Sequence, residues 1–271
     1  MKFNFHKSFW EAECNTLDDL SQLLVKIKTE GYQGSELFLP FFPLDAQETL
    51  ALHESQGLDI ITGIGTQGDN AEDHIRSMDE QIQHAIQFKP KLINSHTGRD
   101  IFSFKDNLKI FQHALSLEQK HGVAITHETH RFRPTFSTLG TEQIIDALPE
   151  LKLNLDISHW MVVHESDLSD QKERLEKLFA HVHHVHARVG YEEGPQITDP
   201  ANPLWEAQVN NHCELWQQVM EKAALRSQDC FTITPEFGPY PYAHTDSNGQ
   251  HLTDIWQANL FIKNKLNAML N

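Results

Sequence analysis

Four short apolar segments in the second half of the chain each end in a side chain that could bind a metal ion. The segments are VAITHE, LKLNLD, VHHVH and FTITPE, and they end in Glu128, Asp156, His186 and Glu236. Three carboxylates brought together would repel one another, and a divalent cation would relieve that repulsion. Three oxygen ligands and one nitrogen ligand suit Mn²⁺ best, with Co²⁺, Mg²⁺ or Zn²⁺ as alternatives. The sequence therefore predicts a metal-dependent site, provided that the fold brings these side chains together.

The alternation of apolar and polar residues indicates which way the four side chains point. In a barrel strand, successive residues face the lumen and the surrounding helices in turn. In VAITHE, LKLNLD and FTITPE the large apolar residues form one row and the candidate ligand ends the other. In HVHHVHARVG the apolar row is Val185, Ala187 and Val189, so each of the four ligands is predicted to face the lumen. In HVHHVHARVG, this parity places His186 at the site, Arg188 just above it and His184 one layer deeper. His181 and His183 are expected to be solvated residues at the start of the strand.

The segments that must position these residues repeat the order helix, glycine, strand, as in HESQGLDIITGI and EQKHGVAITHE. A glycine suits the left-handed position that ends a helix, and the β-branched run after it is typical of a buried strand. Strands are predicted near residues 3–7, 34–39, 58–64, 91–96, 123–128, 151–156, 182–188 and 231–236. Helical patterns between them include residues 16–30, 70–88, 104–121, 205–225 and 253–270. Thr16 is predicted to cap the first helix, with Asp19 completing a capping box.

Eight strands and about eight helices in 271 residues predict a single (β/α)8 TIM barrel, in one α/β domain that spans residues 1–271. An open, doubly wound sheet is the alternative, but no glycine-rich phosphate loop follows the first strand. Active sites of such barrels lie at the carboxyl ends of the strands, where the candidate ligands are predicted. The irregular stretch 189–204 is long for a loop and is interpreted as a functional lid or a flexible segment.

Composition excludes several classes of function. The formal net charge of −16 argues against a nucleic-acid partner, which normally requires a basic surface. Three cysteines without CxxC spacing favour a reducing compartment. The first ten residues lack a signal-peptide run, so we expect a cytoplasmic protein. No stretch is long and apolar enough for a membrane span, so no membrane partner is expected.

The motifs ITHE, DISH, VHAR and TPEFG resemble those of the xylose isomerase-like TIM-barrel superfamily. That superfamily contains sugar phosphate isomerases and epimerases, ketose 3-epimerases, hydroxypyruvate isomerases and endonuclease IV-type nucleases. The resemblance implies the same four metal ligands, substrate contacts from His159 and Arg188, and assembly as a homodimer or homotetramer. The nuclease branch carries an additional Asp and His on strand seven, whereas HVHAR has no aspartate.

Three further residues are candidates for the substrate pocket. His96 ends the strand LINSH and is predicted to point into the lumen. His6 lies on the same strand face as Asn4, and Trp160 lies at the end of the motif DISHW. For His96 the alternatives are a position at the edge of the core and, less favoured, a role as a metal ligand as in the nucleases. For Trp160 the alternative is packing in the core. Glu36 matches an acidic position on strand two that is common in the superfamily, where it tends to be structural.

The predicted function is that of a metal-dependent isomerase or epimerase that acts on a small sugar or keto acid. Glu128 and Glu236 would be the catalytic pair, one removing a proton next to a carbonyl and the other returning it. The metal ion would stabilise the enediolate formed between these steps. A metal-dependent lyase, dehydratase or hydrolase on the same scaffold is the alternative, followed by an endonuclease IV-like phosphodiesterase and a non-enzymatic metal or sugar binder.

Overall fold

Eight parallel strands close into a barrel. The computed structural model describes residues 1–226 and 229–270. Each strand pairs with the next in the chain, and β8 pairs with β1. The (β/α)8 barrel predicted from the sequence is therefore confirmed. The strands are β1 (Lys2–Ser8), β2 (Gly34–Phe38), β3 (Asp59–Gly65), β4 (Leu92–His96), β5 (Ala124–Glu128), β6 (Lys152–Leu155), β7 (Val182–His186) and β8 (Cys230–Thr234).

Helices connect the strands around the outside of the barrel. In residues 1–226 and 229–270 they are α1 (Leu17–Thr29), α2 (Ala46–Gln56), α3 (Ala71–Ala85), α4 (Phe104–His121), α5 (Thr138–Ala147), α6 (Ile157–His164), α7 (Lys172–Phe179), α8 (Glu206–Ala224) and α9 (Ile255–Leu270). The count exceeds the predicted eight because two short helices, α6 and α7, lie between β6 and β7. None of these helices combines the length and apolar character needed to span a bilayer.

The local signals at the helix ends act as the sequence indicates. Thr16 accepts a hydrogen bond from the backbone N–H of Asp19, and the Asp19 carboxylate accepts one from the backbone N–H of Thr16. Gly57 and Gly122 follow α2 and α4 in the left-handed conformation, each with φ of 66°. Both devices satisfy backbone groups that a helix end leaves unpaired, and they fix where the next segment begins.

The apolar row of each strand packs against the helices. Ile125, Leu153, Leu155 and Val185 are at most 2% exposed and belong to one continuous core. Burying each such side chain contributes roughly 1.5–3 kcal/mol to stability. Because neighbouring residues of a strand point in opposite directions, this packing turns the polar row toward the lumen.

In the second half of the chain, three strands end earlier than their sequence patterns predict. β6 ends at Leu155, β7 at His186 and β8 at Thr234, so Asp156, Arg188 and Glu236 lie in the loops just beyond. Asp156 leaves the strand because it caps α6, where its side chain accepts the backbone N–H of Ser158. The consequence is that the polar side chains are held at the carboxyl end of the barrel.

Candidate metal and substrate site

The structure brings the four predicted metal ligands together at the carboxyl end of the barrel. Glu128 ends β5, Asp156 follows β6, His186 ends β7 and Glu236 lies two residues beyond β8. One potential ligand atom from each lies within 4.8 Å of those of the other three. Glu128, Asp156 and His186 are buried, and the Glu236 side chain is 15% exposed. This cluster of histidine and carboxylates is able to bind a metal ion.

The orientation of His186 tests whether a cation fits the cluster. Its Nε2 lies 2.9 Å from Oε1 of Glu36, below the cluster. Its Nδ1 faces the cluster, 3.0 Å from Oε2 of Glu236 and 3.4 Å from Oε2 of Glu128. Nδ1 is buried, yet it forms no hydrogen bond of acceptable geometry within the described chain. A buried imidazole nitrogen turned toward two carboxylates, without a hydrogen bond, fits coordination of a divalent cation.

The charges of the cluster are strongly coupled. Burial raises the pKa of Glu236, and the nearby charge of Glu128 adds to the rise. Burial also opposes ionisation of Glu128, but the imidazoles of His96 and His186 hold its pKa well below the usual range. Burial alone would lower the pKa of His186, yet the carboxylates of Glu236, Glu36 and Glu128 raise it well above the ordinary value. Positive charge is therefore favoured where the carboxylates meet.

Arg188 follows β7 and lies beside Asp156, a contact that strand parity alone did not predict. Its Nη2 donates to Oδ2 of Asp156 and, at 2.9 Å, to Nε2 of His159. Its guanidinium carbon lies 4.4 Å from the centre of the Tyr242 ring, within cation–π distance. Arg188 is only 1% exposed, and its Nη1 has no partner in the part of the chain that the structure describes. One buried, charged donor is therefore left for another molecule.

Three histidines form one wall of the site. Nε2 of His96 donates to Oε2 of Glu128 at 2.7 Å, so His96 contacts a candidate metal ligand directly. The rings of His96 and His130 stack at 4.8 Å, and His130 lies 4.1 Å from His159. Burial and the neighbouring His96 lower the pKa of His130 to about 3, and burial with His130 lowers the pKa of His159 well below its usual range. Both rings are therefore neutral, and they act as hydrogen-bonding groups.

A model of the xylose isomerase-like TIM-barrel family matches residues 24–197, which is more than half of the chain. The chain belongs to this family. No curated protein matches its sequence. The resemblance carried by ITHE, DISH, VHAR and TPEFG is thereby confirmed for the family as a whole.

Solved structures that share the xylose isomerase-like barrel differ in activity. D-allulose 3-epimerase from Methylomonas sp., in complex with D-allulose, is 12% identical with a TM-score of 0.70, covering 98% of this chain and 97% of its own. The probable 3-DHS dehydratase AsbF from Bacillus anthracis is 16% identical with a TM-score of 0.64, covering 100% and 99%. Endonuclease IV from Thermus thermophilus is 13% identical with a TM-score of 0.60, covering 100% and 99%. At these identities the likeness shows a common fold, and the chemistry must be argued from the site.

Two residues that were candidates for the substrate pocket lie elsewhere in this xylose isomerase-like barrel. His6 is fully buried and pairs in register with Gly34, one lumen position below Glu36. Burial, with the neighbouring His184, lowers its pKa to about 3. Trp160 is fully buried in the apolar core, where Nε1 donates to the backbone oxygen of Thr135. We therefore leave both out of the proposed substrate contacts.

The histidines of strand β7 were only partly predicted. His181 and His183 are partly buried, not solvated, and burial lowers the pKa of His183 to about 3. His130, which is part of the histidine wall, and Tyr242, whose ring contacts His159, were not predicted from the sequence. A signal for His130 was present, because it shares the parity of Glu128 in the sequence THETH. Tyr242 lies in an irregular loop, where no periodic pattern could indicate its direction.

Proposed function

We propose that the protein is a divalent-metal-dependent isomerase or epimerase of a small sugar or keto acid, with Mn²⁺ as its ion. The observation that carries this proposal is the pair of glutamates, from two different strands, that approach one buried imidazole nitrogen. Oε2 of Glu236 and Oε2 of Glu128 lie 3.0 and 3.4 Å from Nδ1 of His186. Asp156, the fourth member of the cluster, completes a ligand set of three carboxylates and one imidazole.

The two glutamates supply the acid–base chemistry. Glu128 comes from β5 and Glu236 from the loop after β8, so they reach the same volume from different strands. One carboxylate removes the proton next to the substrate carbonyl, and the other returns it. Return to the opposite face of the same carbon epimerises the substrate, and return to the neighbouring carbon isomerises it. A divalent cation held by Glu128, Asp156, His186 and Glu236 would supply Lewis acidity beside the substrate oxygens.

His159 and Arg188 hold the substrate. Nε2 of His159 accepts the hydrogen bond from Arg188, so the proton of this neutral ring is on Nδ1. Nδ1 of His159 and Nη1 of Arg188 are buried donors that lack partners among the described residues. Such groups are costly when unpaired. Carbonyl and hydroxyl oxygens of a substrate would satisfy both, and they would be held in a fixed orientation.

Phosphodiesterase activity is less well supported. The chain carries a net charge of −16, which disfavours the phosphate backbone of DNA. Arg188, which contacts the cluster, is ion-paired with Asp156. The site therefore suits a small substrate with adjacent oxygen atoms better than a polyanion.

Metal analysis combined with proton exchange tests the proposal. The purified protein should contain, or bind on dialysis, one Mn²⁺-class ion per chain. With that ion present, a panel of ketoses and keto acids in D₂O should reveal a substrate that takes up deuterium at the carbon next to its carbonyl. Three zinc ions per chain together with cleavage of abasic DNA would support the nuclease alternative. Loss of water from a substrate without its interconversion with an isomer would support the dehydratase.

A further inference from the structure

Glu36 is a buried carboxylate directly below the candidate metal site, and the proposed reaction does not use it. It lies on β2 and is 6% exposed. Its oxygens lie 2.9 Å from Nε2 of His186, 3.2 Å from Nε2 of His184 and 2.6 Å from Oγ1 of Thr234. Nδ2 of Asn94 approaches to 3.4 Å. Four groups that can donate hydrogen bonds thus surround one carboxylate.

The chemistry of these contacts fixes where the protons are. An ionised carboxylate only accepts hydrogen bonds, so each neighbour must donate to it. Nε2 of His186 therefore carries a hydrogen, and in the neutral ring Nδ1 carries the lone pair. Nδ1 of His184 lies 2.7 Å from Oγ1 of Thr232 and 3.0 Å from the Thr232 backbone oxygen, so it can accept from the hydroxyl or donate to the carbonyl. When the ring gives up its second proton to bind a cation, the lone pair on Nδ1 points at Glu128 and Glu236, where the cation is proposed.

We propose that Glu36 is a positioning residue that fixes the tautomer and the ring orientation of His186, so that Nδ1 faces the divalent cation. The inference rests on the proposed metal site. Glu36 touches neither the cation nor the substrate, and it acts through one hydrogen bond across the lumen. Partners of this kind hold ligand imidazoles in metalloproteins, and their loss typically weakens metal binding by about 10- to 100-fold.

Two substitutions separate positioning from the mere presence of negative charge. Glu36→Asp keeps the charge but withdraws the carboxylate by one methylene group, which breaks the contact with His186. Glu36→Gln removes the charge but keeps an oxygen that accepts from Nε2 of His186. Its amide group can donate to Oγ1 of Thr234, and also to Nε2 of His184 when that ring holds its proton on Nδ1, toward the Thr232 backbone oxygen. The matched control is Thr234→Val, which removes one hydrogen bond to Glu36 without altering the contact with His186.

Mn²⁺ titration calorimetry on the whole protein measures the effect. Glu36→Asp should weaken Mn²⁺ binding by about 10- to 100-fold, whereas we expect Glu36→Gln and Thr234→Val to remain within about threefold of the wild type. The opposite ranking, with Gln weaker than Asp, would show that the charge matters and the position does not. Equal affinities in all four proteins would also overturn the proposal.

A second measurement on the metal-free protein does not depend on the proposed ion. In ¹H–¹⁵N spectra, the low-field Nε2–H resonance of His186 is assigned by its absence from His186→Gln. We expect it to persist in Glu36→Gln and Thr234→Val and to shift upfield or vanish in Glu36→Asp. An unchanged resonance in Glu36→Asp would refute the contact. If the wild type binds no divalent cation but the resonance responds, the proposed function fails and the role of Glu36 in orienting His186 stands.

Discussion

Glu128 and Glu236 are the same residue type in different surroundings. Glu128 is 2% exposed and accepts hydrogen bonds from His96 at 2.7 Å and from Asn94 at 3.1 Å. Glu236 is more exposed, and its side chain lies at ion-pair distance from His186 and Arg188. These surroundings displace the two pKa values in opposite directions, down for Glu128 and up for Glu236. Two carboxyl groups made different in this way can take different roles in proton transfer.

Neutral replacement of either glutamate should therefore remove turnover. Glu128→Gln and Glu236→Gln keep the size of the side chain and remove its ability to take up a proton. We expect kcat to fall by about 10²- to 10⁴-fold in each variant, since general acid–base groups contribute on that scale. Rates measured with the substrate found in the exchange assay test this. The exposed Glu193 provides the control, and Glu193→Gln should retain the wild-type kcat. Near-normal turnover in either active-site variant would contradict the assignment.

Strand parity predicts the direction of these side chains but not all of their partners. Glu128, Asp156, His186 and Glu236 converge because each ends a polar row whose neighbours pack outward. The same rule turns His6 toward the lumen but does not give its position along the barrel axis. His6 lies one lumen position below Glu36, too deep to reach the substrate pocket at the carboxyl end. Parity in HVHAR places Arg188 on the lumen side, yet its ion pair with Asp156 depends on where α6 begins. Partners that lie far apart in the chain have no local signal.

Elements are predicted best where a local device defines them. The capping box at Thr16 and the glycines after α2 and α4 depend on contacts within a few residues, so these helix ends can be predicted from the local sequence alone. The strand ends of β6 and β8 depend on the loops that follow, and their predicted ends were one or two residues late. The two helices α6 and α7 were also not predicted from the sequence, because neither is long enough to show a clear periodic pattern.

The cap of α1 offers a direct test at the level of one element. Thr16→Ala removes the oxygen that accepts the Asp19 backbone N–H, so one donor at the helix end loses its partner. The free energy of unfolding should fall by about 1 kcal/mol. Urea denaturation at neutral pH measures the change. Thr16→Ser keeps the hydroxyl oxygen and should unfold close to the wild type, so equal losses in both variants would show that the cap is unimportant.

His53, a buried histidine of α2 that is hydrogen-bonded to β2, makes the stability of the protein depend on pH. Nδ1 of His53 donates to the Thr49 backbone oxygen at 2.8 Å, and Nε2 accepts from Ser35 at 2.7 Å. Burial lowers the pKa of His53 from 6.5 to about 4. Above pH 6.5 both the folded and the unfolded chain hold a neutral ring, so no penalty applies. Between pH 6.5 and about 4 only the unfolded chain takes up the proton, so stability falls as the pH falls.

Removal of that imidazole should flatten the acid side of the stability profile. In the window below pH 6.5, His53→Gln should lessen the fall in unfolding free energy by about 1.4 kcal/mol per pH unit. Urea titrations at pH 7.5, 6 and 5 give the slopes of both proteins. The variant should be the less stable protein at pH 7.5, because it loses hydrogen bonds, and the gap should narrow toward pH 5. Parallel profiles would mean that His53 is not held neutral in the folded chain.

At the scale of the whole molecule, the closed barrel gathers groups that the chain keeps far apart. Glu36 and His186 are separated by 150 residues, yet their side chains meet in the lumen. That contact depends on how the strands are staggered around the barrel, a property shared by all eight strands. The same closure places Glu128, Asp156 and Glu236 in one small volume of a chain that already carries a net charge of −16. Their mutual repulsion opposes folding of the metal-free protein.

A divalent cation should therefore stabilise the whole fold. Because its ligands converge only in the folded barrel, Mn²⁺ at 100 times its Kd should add about 2.7 kcal/mol to the free energy of unfolding. For a chain of this length that corresponds to a rise in Tm of roughly 5 °C. Thermal scans with and without MnCl₂, using KCl at equal ionic strength as the control, measure the shift. His186→Gln removes the buried nitrogen ligand and should abolish most of it. A rise of equal size in His186→Gln would mean that the ion stabilises the protein at another place on this acidic surface.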